Sequence, residues 1–483
     1  MRINQTINTT PNFQVLSEDQ IERIYFAALD VLENTGARFH HKEALEMFKN
    51  SDAVVTDGNL VRFPASLVER AIKSHPRKIN VTGRTGKHTI KLQKDEVTFG
   101  TGSDMPFAYD KETGERRKAS YQDVKNAGTI VDYLPNFDFF MSHGIVQDVP
   151  NEQTYDRHQY LAMLESCTKP YIVTAVDGEG LEDIYRMTTL FRNEEELRLD
   201  PMFIVYNEPS SPLTNSEPAI EKLLFCAEKS VPCMYTPCPS GGATAPATPA
   251  GLLVQTLAEC LMGSVLSYLK KPGMPFIVGG VITVLDMATT AYSYGAPELS
   301  LCQAGFTDIA KWLDLPMFST GGCSDSKAMD EQAAIEMSTN LYYAFLSGAN
   351  LVHDVGYMDS GLTASLDSLV MCDEIIGMIK QIGKGINTED EYMALQLIDK
   401  VGPGGEYLTT DHTLQHYKEW FQPKLQDRSD YDTWEREGKK LMIDRIKTER
   451  DRILSQHTPE HIDEKVHREL KKIIEEAEIR HTK

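Results

Sequence analysis

Residues 233–282 read CMYTPCPSGGATAPATPAGLLVQTLAECLMGSVLSYLKKPGMPFIVGGVI, and the order of elements in that stretch decides the fold. Cys233-Met234-Tyr235-Thr236 is a short run that stops at Pro237, as a buried strand does. Past the small-residue turn Pro237 through Gly242, Thr248 is a good N-cap and Pro249 takes the first helical position, where its missing N–H costs nothing. Pro249–Leu269 has the length and apolar content of a buried helix, and Lys270-Lys271-Pro272-Gly273 ends it. Phe276–Ile282 is the next apolar run. Strand, helix, strand in repeated order implies a parallel sheet.

The same unit recurs on both sides. Further strands are predicted at Phe139–Val146, Tyr171–Ala175, Met202–Tyr206, Met317–Thr320 and Leu351–His353, with one more near Thr98. Helical period marks Thr154–Glu165, Pro218–Glu228, Pro297–Leu313 and Asp330–Leu346. Eight strands in this order predict an α/β chain built on a (β/α)8 TIM barrel, with a doubly wound open sheet as the alternative on pattern alone. No G-x-G-x-x-G follows the first strand and no Walker lysine motif is present, which leaves nucleotide binding with little support.

The flanks read differently from the repeat. Residues 1–95 form an N-terminal helical and mixed extension; Ser17 and Gln20 make a capping box, and Ile21, Ile24, Tyr25, Ala28, Leu29 and Leu32 mark one helix face. Residues 96–400 are the barrel, the catalytic core. Residues 401–483 are a C-terminal helical appendage, whose final helix is predicted to start at Thr458-Pro459 and to turn Ile462, Val466, Leu470, Ile473 and Ile474 inward.

The chain has 483 residues, 71 of them acidic and 49 basic, for a net charge of −22. Such an excess repels phosphate backbones and anionic lipid, so neither a nucleic-acid nor a membrane partner is expected. It suits a cationic ligand, although acidity also serves solubility alone. The eight cysteines include no C-x-x-C pair; Cys226, Cys233 and Cys238 are the closest in sequence, and reduced core thiols in a cytoplasmic protein are the expectation. Met1–Leu16 is polar and carries no apolar signal-peptide core. Pro249–Leu269 is long enough to span a bilayer, but Gln255, Glu259 and two serines favour a buried helix.

In a parallel barrel the functional groups sit after the C-terminal ends of the strands. Those ends are His143, Thr174, Tyr206-Asn207, Pro237 through Gly242, Gly279-Gly280, Ser319 through Gly322, and His353-Asp354. Small residues crowd several of them, which lets a large group approach the mouth closely. No cluster of His, Cys and carboxylate is dense enough for a metal. His353 could orient a ligand or bond within the core. Asp325 and Lys327 could be catalytic or cap the next helix, and Tyr342 and Tyr343 read as packing residues. Phe99, Tyr206 and Tyr357 could wall an ammonium cage through cation–π attraction or simply be core. Arg116-Arg117 could take an anion or lie in a solvated turn.

Several blocks, in order, resemble the trimethylamine methyltransferase family. They are Phe99-Gly100 through Asp110 with Thr113-Gly114-Glu115-Arg116-Arg117, Gly242-Ala243-Thr244-Ala245-Pro246 leading to Ala258-Glu259, Pro272-Gly273-Met274-Pro275, and Gly295-Ala296-Pro297-Glu298. Gly321 through Lys327 with Asp330-Glu331-Gln332-Ala333, Gly348-Ala349-Asn350, Ser360-Gly361-Leu362-Thr363, and Asp373 through Met378 complete the run. The resemblance implies a barrel enzyme that moves a methyl group from an amine to the cobalt of a separate corrinoid protein. Cobalamin then comes with that partner, and no cofactor is bound in this chain. Founding members carry pyrrolysine where this sequence has Ser360, which places it in the branch acting on quaternary amines such as glycine betaine, proline betaine, carnitine or γ-butyrobetaine. The resemblance and the C-terminal helices also suggest a homo-oligomer.

A quaternary ammonium leaves as a neutral amine without first gaining a proton, so neither a general acid nor zinc is expected, and the enzyme's work is orientation and exclusion of water. Charge on nitrogen vanishes along the path, so strong carboxylate contacts to it would hold the ground state too tightly. His353 is accordingly expected at the substrate's carboxylate, and Phe99, Tyr206 and Tyr357 around its ammonium. Asp104 and Asn207 are expected as further polar contacts. Gly241, Gly242, Gly279, Gly280, Gly321 and Gly322 are expected to face the corrin ring. Two rivals remain: a lyase with Lys327 as Schiff-base nucleophile, and a cytosolic quaternary-amine sensor without catalysis.

Overall fold

The computed structural model describes residues 12–481, so most of the polar stretch Met1–Leu16 lies outside the described residues. Seven strands make one parallel sheet: β1 (Thr98–Thr101), β2 (Tyr171–Val173), β3 (Phe203–Asn207), β4 (Cys233–Tyr235), β5 (Phe276–Gly279), β6 (Met317–Thr320) and β7 (Leu351–Val355). Their order across the sheet is β1-β7-β6-β5-β4-β3-β2. Phe139 bridges Gly100 and Phe140 bridges Tyr171, each in parallel, so a two-residue extended piece touches both edge strands. The run predicted over Phe139–Val146 is therefore extended for only its first two residues. His143 beyond it takes a left-handed backbone (φ 64°) and leaves the sheet direction.

Five helices form where the pattern predicts them, Tyr155–Ser166, Glu217–Lys229, Pro249–Lys270, Pro297–Trp312 and Glu331–Ser347, and Gly178–Thr189 and Leu366–Gly383 add two more between or after strands. The Pro249–Lys270 helix starts where the sequence says, with the Thr248 hydroxyl accepting from the Gly251 N–H (3.3 Å). Among the described residues it is the one helix apolar and long enough to cross a membrane, and 78% of its apolar window is buried inside the protein. Its polar residues explain themselves: buried Glu259 accepts from Ser211 Oγ (2.7 Å), the Leu213 N–H (2.8 Å) and Gln255 Nε2 (3.0 Å), tying down the loop after β3. Each buried leucine on this helix contributes about 1.5–3 kcal/mol by leaving water.

Two layers of side chains result. Phe139, Met141, Ile172, Ile204, Met234, Ile277, Phe318 and Leu351 cluster on one face of the sheet. Ile79, Val81, Ile90 and Leu92 of the antiparallel hairpin Ile79–Thr82/Thr89–Leu92 join them from the N-terminal ends of the strands and close that end. The alternate residues, Val205, Val278 and Val352 among them, pack outward against the helices.

The Ser17–Gln20 capping box forms as expected. At the other end the last helix runs Glu464–His481, starting later than predicted, because Asp463 Oδ1 takes the N–H of Lys465 (2.8 Å) and the chain before it is not helical. Between Gly383 and Met442 the chain lies on the surface with only Leu425 buried.

Candidate active site

Alternation along each strand decides which side chains reach the C-terminal mouth. On β7, Leu351 and His353 face inward; on β6, Phe318 does; on β3, Ile204 and Tyr206 do. The His353 ring lies 3.9 Å from Phe318 and 5.9 Å from Tyr206, centroid to centroid. Its Nδ1–H donates to the Ser319 carbonyl (3.0 Å), and its Nε2 lies 2.9 Å from Asp354 Oδ1. Asp354 is only 1% exposed and its backbone is left-handed (φ 69°). The contact has the spacing of an ion pair, and Tyr357 lies beside the same carboxylate. A non-glycine residue strained in this way around a desolvated charge is the kind of cost found at functional sites.

Above this floor Asp104, Tyr206, Tyr292 and Tyr294 are half-buried and Glu208 is exposed at the C-terminal ends of the strands, although protein packs densely around them; groups in that state are read as lining one hollow. Tyr292 and Tyr294 stand 5.5 Å apart, and Tyr294 meets Tyr357 edge-on at 5.7 Å. The Tyr357 hydroxyl donates to the Ser103 carbonyl. Glu208 Oε1 accepts from the Tyr206 hydroxyl and from Cys238 Sγ (2.9 Å). Asp104 Oδ1 accepts from Gln159 Nε2 and Thr174 Oγ1, both at 3.2 Å.

Burial pushes the carboxyls of Asp104 and Glu208 up and the Lys222 ammonium down. It also pushes the phenols of Tyr206, Tyr292, Tyr294 and Tyr357 well up, and the Asp354 carboxylate adds to the effect on each of them. Glu208 combines a dense surround with an open carboxylate because it lines the hollow rather than the outer surface. Phenol faces over acidic side chains make a site that attracts a cation. Lys222, donating to the Ala175 carbonyl (3.0 Å), is the basic group beside it.

The structure thus brings together His353, Tyr357, Tyr206 and Asp104 from the sequence reading. It separates the others. Phe99 is fully buried on the helix side of β1, stacked on Phe345 at 6.4 Å, and is no part of the cage. Asn207 also points outward, its Nδ2 donating to the Ala219 carbonyl (2.8 Å) of the next helix. His353 has both ring nitrogens turned to the chain, leaving no free donor for a substrate carboxylate.

Most of the mouth glycines are filled by the chain itself. A Cβ at Gly279 would strike the Phe318 carbonyl, at Gly280 it would lie 2.6 Å from the Pro237 carbonyl, at Gly321 2.9 Å from Val352, at Gly322 3.0 Å from Val355 and at Gly241 3.0 Å from Leu252. Only Gly242, exposed beside the flexible Met287 side chain, keeps an open face.

Ser360 lies at the rim, its Oγ donating to Asp325 Oδ1 (2.9 Å). Lys327 is largely exposed there, with its ammonium on the Asp325 carbonyl (2.7 Å), and Asp330 rather than Asp325 caps the following helix. Arg117 is spent on Asp123 (2.7 Å) and Asp110 (3.1 Å), and Arg116 on Asp359 (3.1 Å). Tyr292, Tyr294, Glu208 and Cys238 were not singled out from sequence. The first two sit in a loop without periodicity, and the only signal for the others is their place just past a strand end. All eight cysteines are free, seven of them buried. Among the described residues no group of three or more His, Cys, Asp or Glu is placed to share a metal ion.

The trimethylamine methyltransferase (MTTB) family matches residues 1–480 of the chain. A trimethylamine methyltransferase of Desulfitobacterium hafniense (strain DSM 10664 / DCB-2) is 32% identical, over 96% of this chain and 93% of its own length. A glycine betaine methyltransferase of Desulfitobacterium hafniense (strain Y51) is 30% identical, over 96% and 97%. Among solved structures, the monomethylamine methyltransferase of Methanosarcina barkeri covers 85% of this chain and 94% of that chain, at 14% identity and a TM-score of 0.46.

Proposed function

The chain belongs to the trimethylamine methyltransferase (MTTB) family, and within it we propose that this protein moves a methyl group from a quaternary amine, glycine betaine or a related betaine, to the cobalt of a separate corrinoid protein. The observation that carries the reading is the hollow lined by Tyr206, Tyr292, Tyr294 and Tyr357 at the strand ends. The parallel sheet, with Phe139 and Phe140 touching both its edges, is read as the closed eight-stranded barrel on which this site stands.

The phenol faces hold the trimethylammonium head by cation–π attraction, and the enclosed wall keeps water from the methyl carbon. The carboxylates nearest the head are tempered, Asp354 by His353 and Glu208 by the Tyr206 and Cys238 donors. Attraction to the cation is therefore moderate, as a reaction that discharges nitrogen requires. Lys222, whose ammonium donates to the Ala175 carbonyl, is the cation that meets the substrate's carboxylate in this reading, since His353 has both ring nitrogens turned to the chain. The amine leaves neutral, and no proton is needed before it departs. Gly242 remains, of the six glycines, as a surface contact for the corrinoid partner. Free thiols throughout fit a reducing, cytoplasmic compartment.

A second reading, trimethylamine as the substrate, is favoured by the name of one relative. Trimethylamine has no carboxylate and gains nothing from Lys222. The test is the visible spectrum of reduced cobalamin, held anaerobically on a corrinoid protein, with this enzyme and glycine betaine, proline betaine, carnitine, γ-butyrobetaine, choline or trimethylamine. Conversion with a betaine supports the proposal; conversion with trimethylamine alone favours the second reading, and silence throughout favours the sensor.

A further inference from the structure

Asp325, a catalytic group or a helix cap by its sequence context, does not cap the following helix, which Asp330 does. The Asp325 carboxylate gathers three donors from two other loops: Ser293 Oγ (2.5 Å), the Tyr294 N–H (2.7 Å) and Ser360 Oγ (2.9 Å). Asp325 is itself anchored, its N–H donating to Glu336 Oε2 (2.9 Å), which also takes the Ser324 hydroxyl (2.6 Å). Among the described residues no basic side chain forms an ion pair with the carboxylate; the Lys327 ammonium goes to the backbone carbonyl instead.

The segment it holds is a strap across the mouth. The strap leaves β5, pairs Thr283–Val284 in parallel with Ser240–Gly241, and turns at Asp286, whose Oδ1 accepts from the N–H groups of Ala288 (3.0 Å) and Thr289 (2.8 Å). Residues Asp286 through Ala291 are exposed, and the tip's packing is limited to Met287 beside Gly242. It returns with the Tyr292 hydroxyl donating to the Val281 carbonyl (2.6 Å) and Thr283 Oγ1 donating to the Ser293 carbonyl (2.6 Å). Where it re-enters, the side chain of Ser293 and the backbone of Tyr294 both end on Asp325. The seat for the Tyr294 ring is cut out by Gly361, left-handed at φ 79°, where a Cβ would lie 2.8 Å from Tyr294 Cε2.

We propose that Asp325 is a positioning residue that latches this strap, and that the latched Tyr292–Tyr294 wall sets how large an ammonium head the hollow accepts. The proposal rests on the cation-binding reading of the hollow. It deepens that reading by naming what fixes the cage on the side the strands do not build. With the latch closed, the tyrosine faces stand at contact distance from a compact, methyl-substituted head. With it open, the wall is free to recede, which weakens the attraction to a small cation and admits a bulkier one.

The test needs no methyl acceptor. Tetramethylammonium and tetraethylammonium are titrated against the full chain and against Asp325→Asn and Ser360→Ala, with amide hydrogen exchange followed over residues 285–294. The wild-type protein is expected to prefer the smaller cation, Asp325→Asn to narrow that preference by about tenfold with faster exchange in the strap, and Ser360→Ala, which removes one of three donors, by about threefold. Unchanged thermal stability of both variants separates a latch from general unfolding. If the variants keep both the size preference and the exchange rates, the latch is overturned. A wild-type protein that binds neither cation instead contradicts the function proposed above, and the exchange data still decide whether Asp325 holds the strap.

Discussion

The floor of the hollow and the strap above it hold their aromatic rings by different means. His353, Phe318 and Tyr206 stand on adjacent or nearby strands, packed ring on ring, with His353 2% exposed. Tyr294 stands on a loop whose tip is in solvent and whose re-entry ends on the Asp325 carboxylate. Disturbing the floor has to disturb the fold, because the same groups belong to the core. Disturbing the strap should alter recognition while sparing the fold.

The largest expected effect lies on the floor. His353→Ala leaves the Asp354 carboxylate buried and unpaired, which should destabilise the protein by about 3–5 kcal/mol in denaturant unfolding. Methyl transfer should fall by about a hundredfold or more, since the cage loses its base as well. Adding Asp354→Asn removes the stranded charge and should recover most of the stability without recovering transfer. Recovery of both would mean that the pair is structural only.

On the strap, Tyr294→Ala should raise KM for the quaternary amine by about tenfold and leave kcat within about threefold, the signature of lost binding rather than lost chemistry. Stability should barely move. A large stability loss would erase the distinction between the two regions.

A further effect is one of pH. Burial lowers His75, stacked on Phe276, and His143, near the mouth, each to about 4. Both are neutral in the folded chain at pH 7, while the unfolded chain takes up their protons near pH 6.5. Their contribution is thus complete above pH 6.5 and is lost as pH falls from there to about 4. His75→Asn should flatten the fall of Tm over that interval, and an unchanged slope would assign it to other groups.

The same contrast explains what the sequence disclosed. The strands were legible because parallel strands, buried on both faces, read as unbroken apolar runs bounded by Pro and Gly. That continuity hides which face is which. Tyr206 and Asn207 are neighbours on β3, yet one enters the hollow and the other bonds to a helix. Phe99 reads as a cage residue in sequence and stacks on Phe345 on the helix side of the sheet.

The mouth glycines were read as room for a ligand, whereas five of the six are places where the chain meets itself. The strap was invisible because its contacts join Ser293 and Tyr294 to Asp325 across about thirty residues without periodicity. Glu208 and Cys238 gained their meaning only from each other, as a carboxylate and its donor at the ends of β3 and β4.

The central claim is the fate of one methyl group. Glycine betaine deuterated on its N-methyl groups is incubated with this protein and a reduced corrinoid protein, and both products are read by mass spectrometry. The account predicts dimethylglycine that retains two labelled methyl groups, together with cobalamin carrying the third intact. Glycine betaine recovered unchanged, while another quaternary amine in the same assay is demethylated, would move the substrate within the class. Binding of the betaine with no label on cobalamin from any amine would contradict the account.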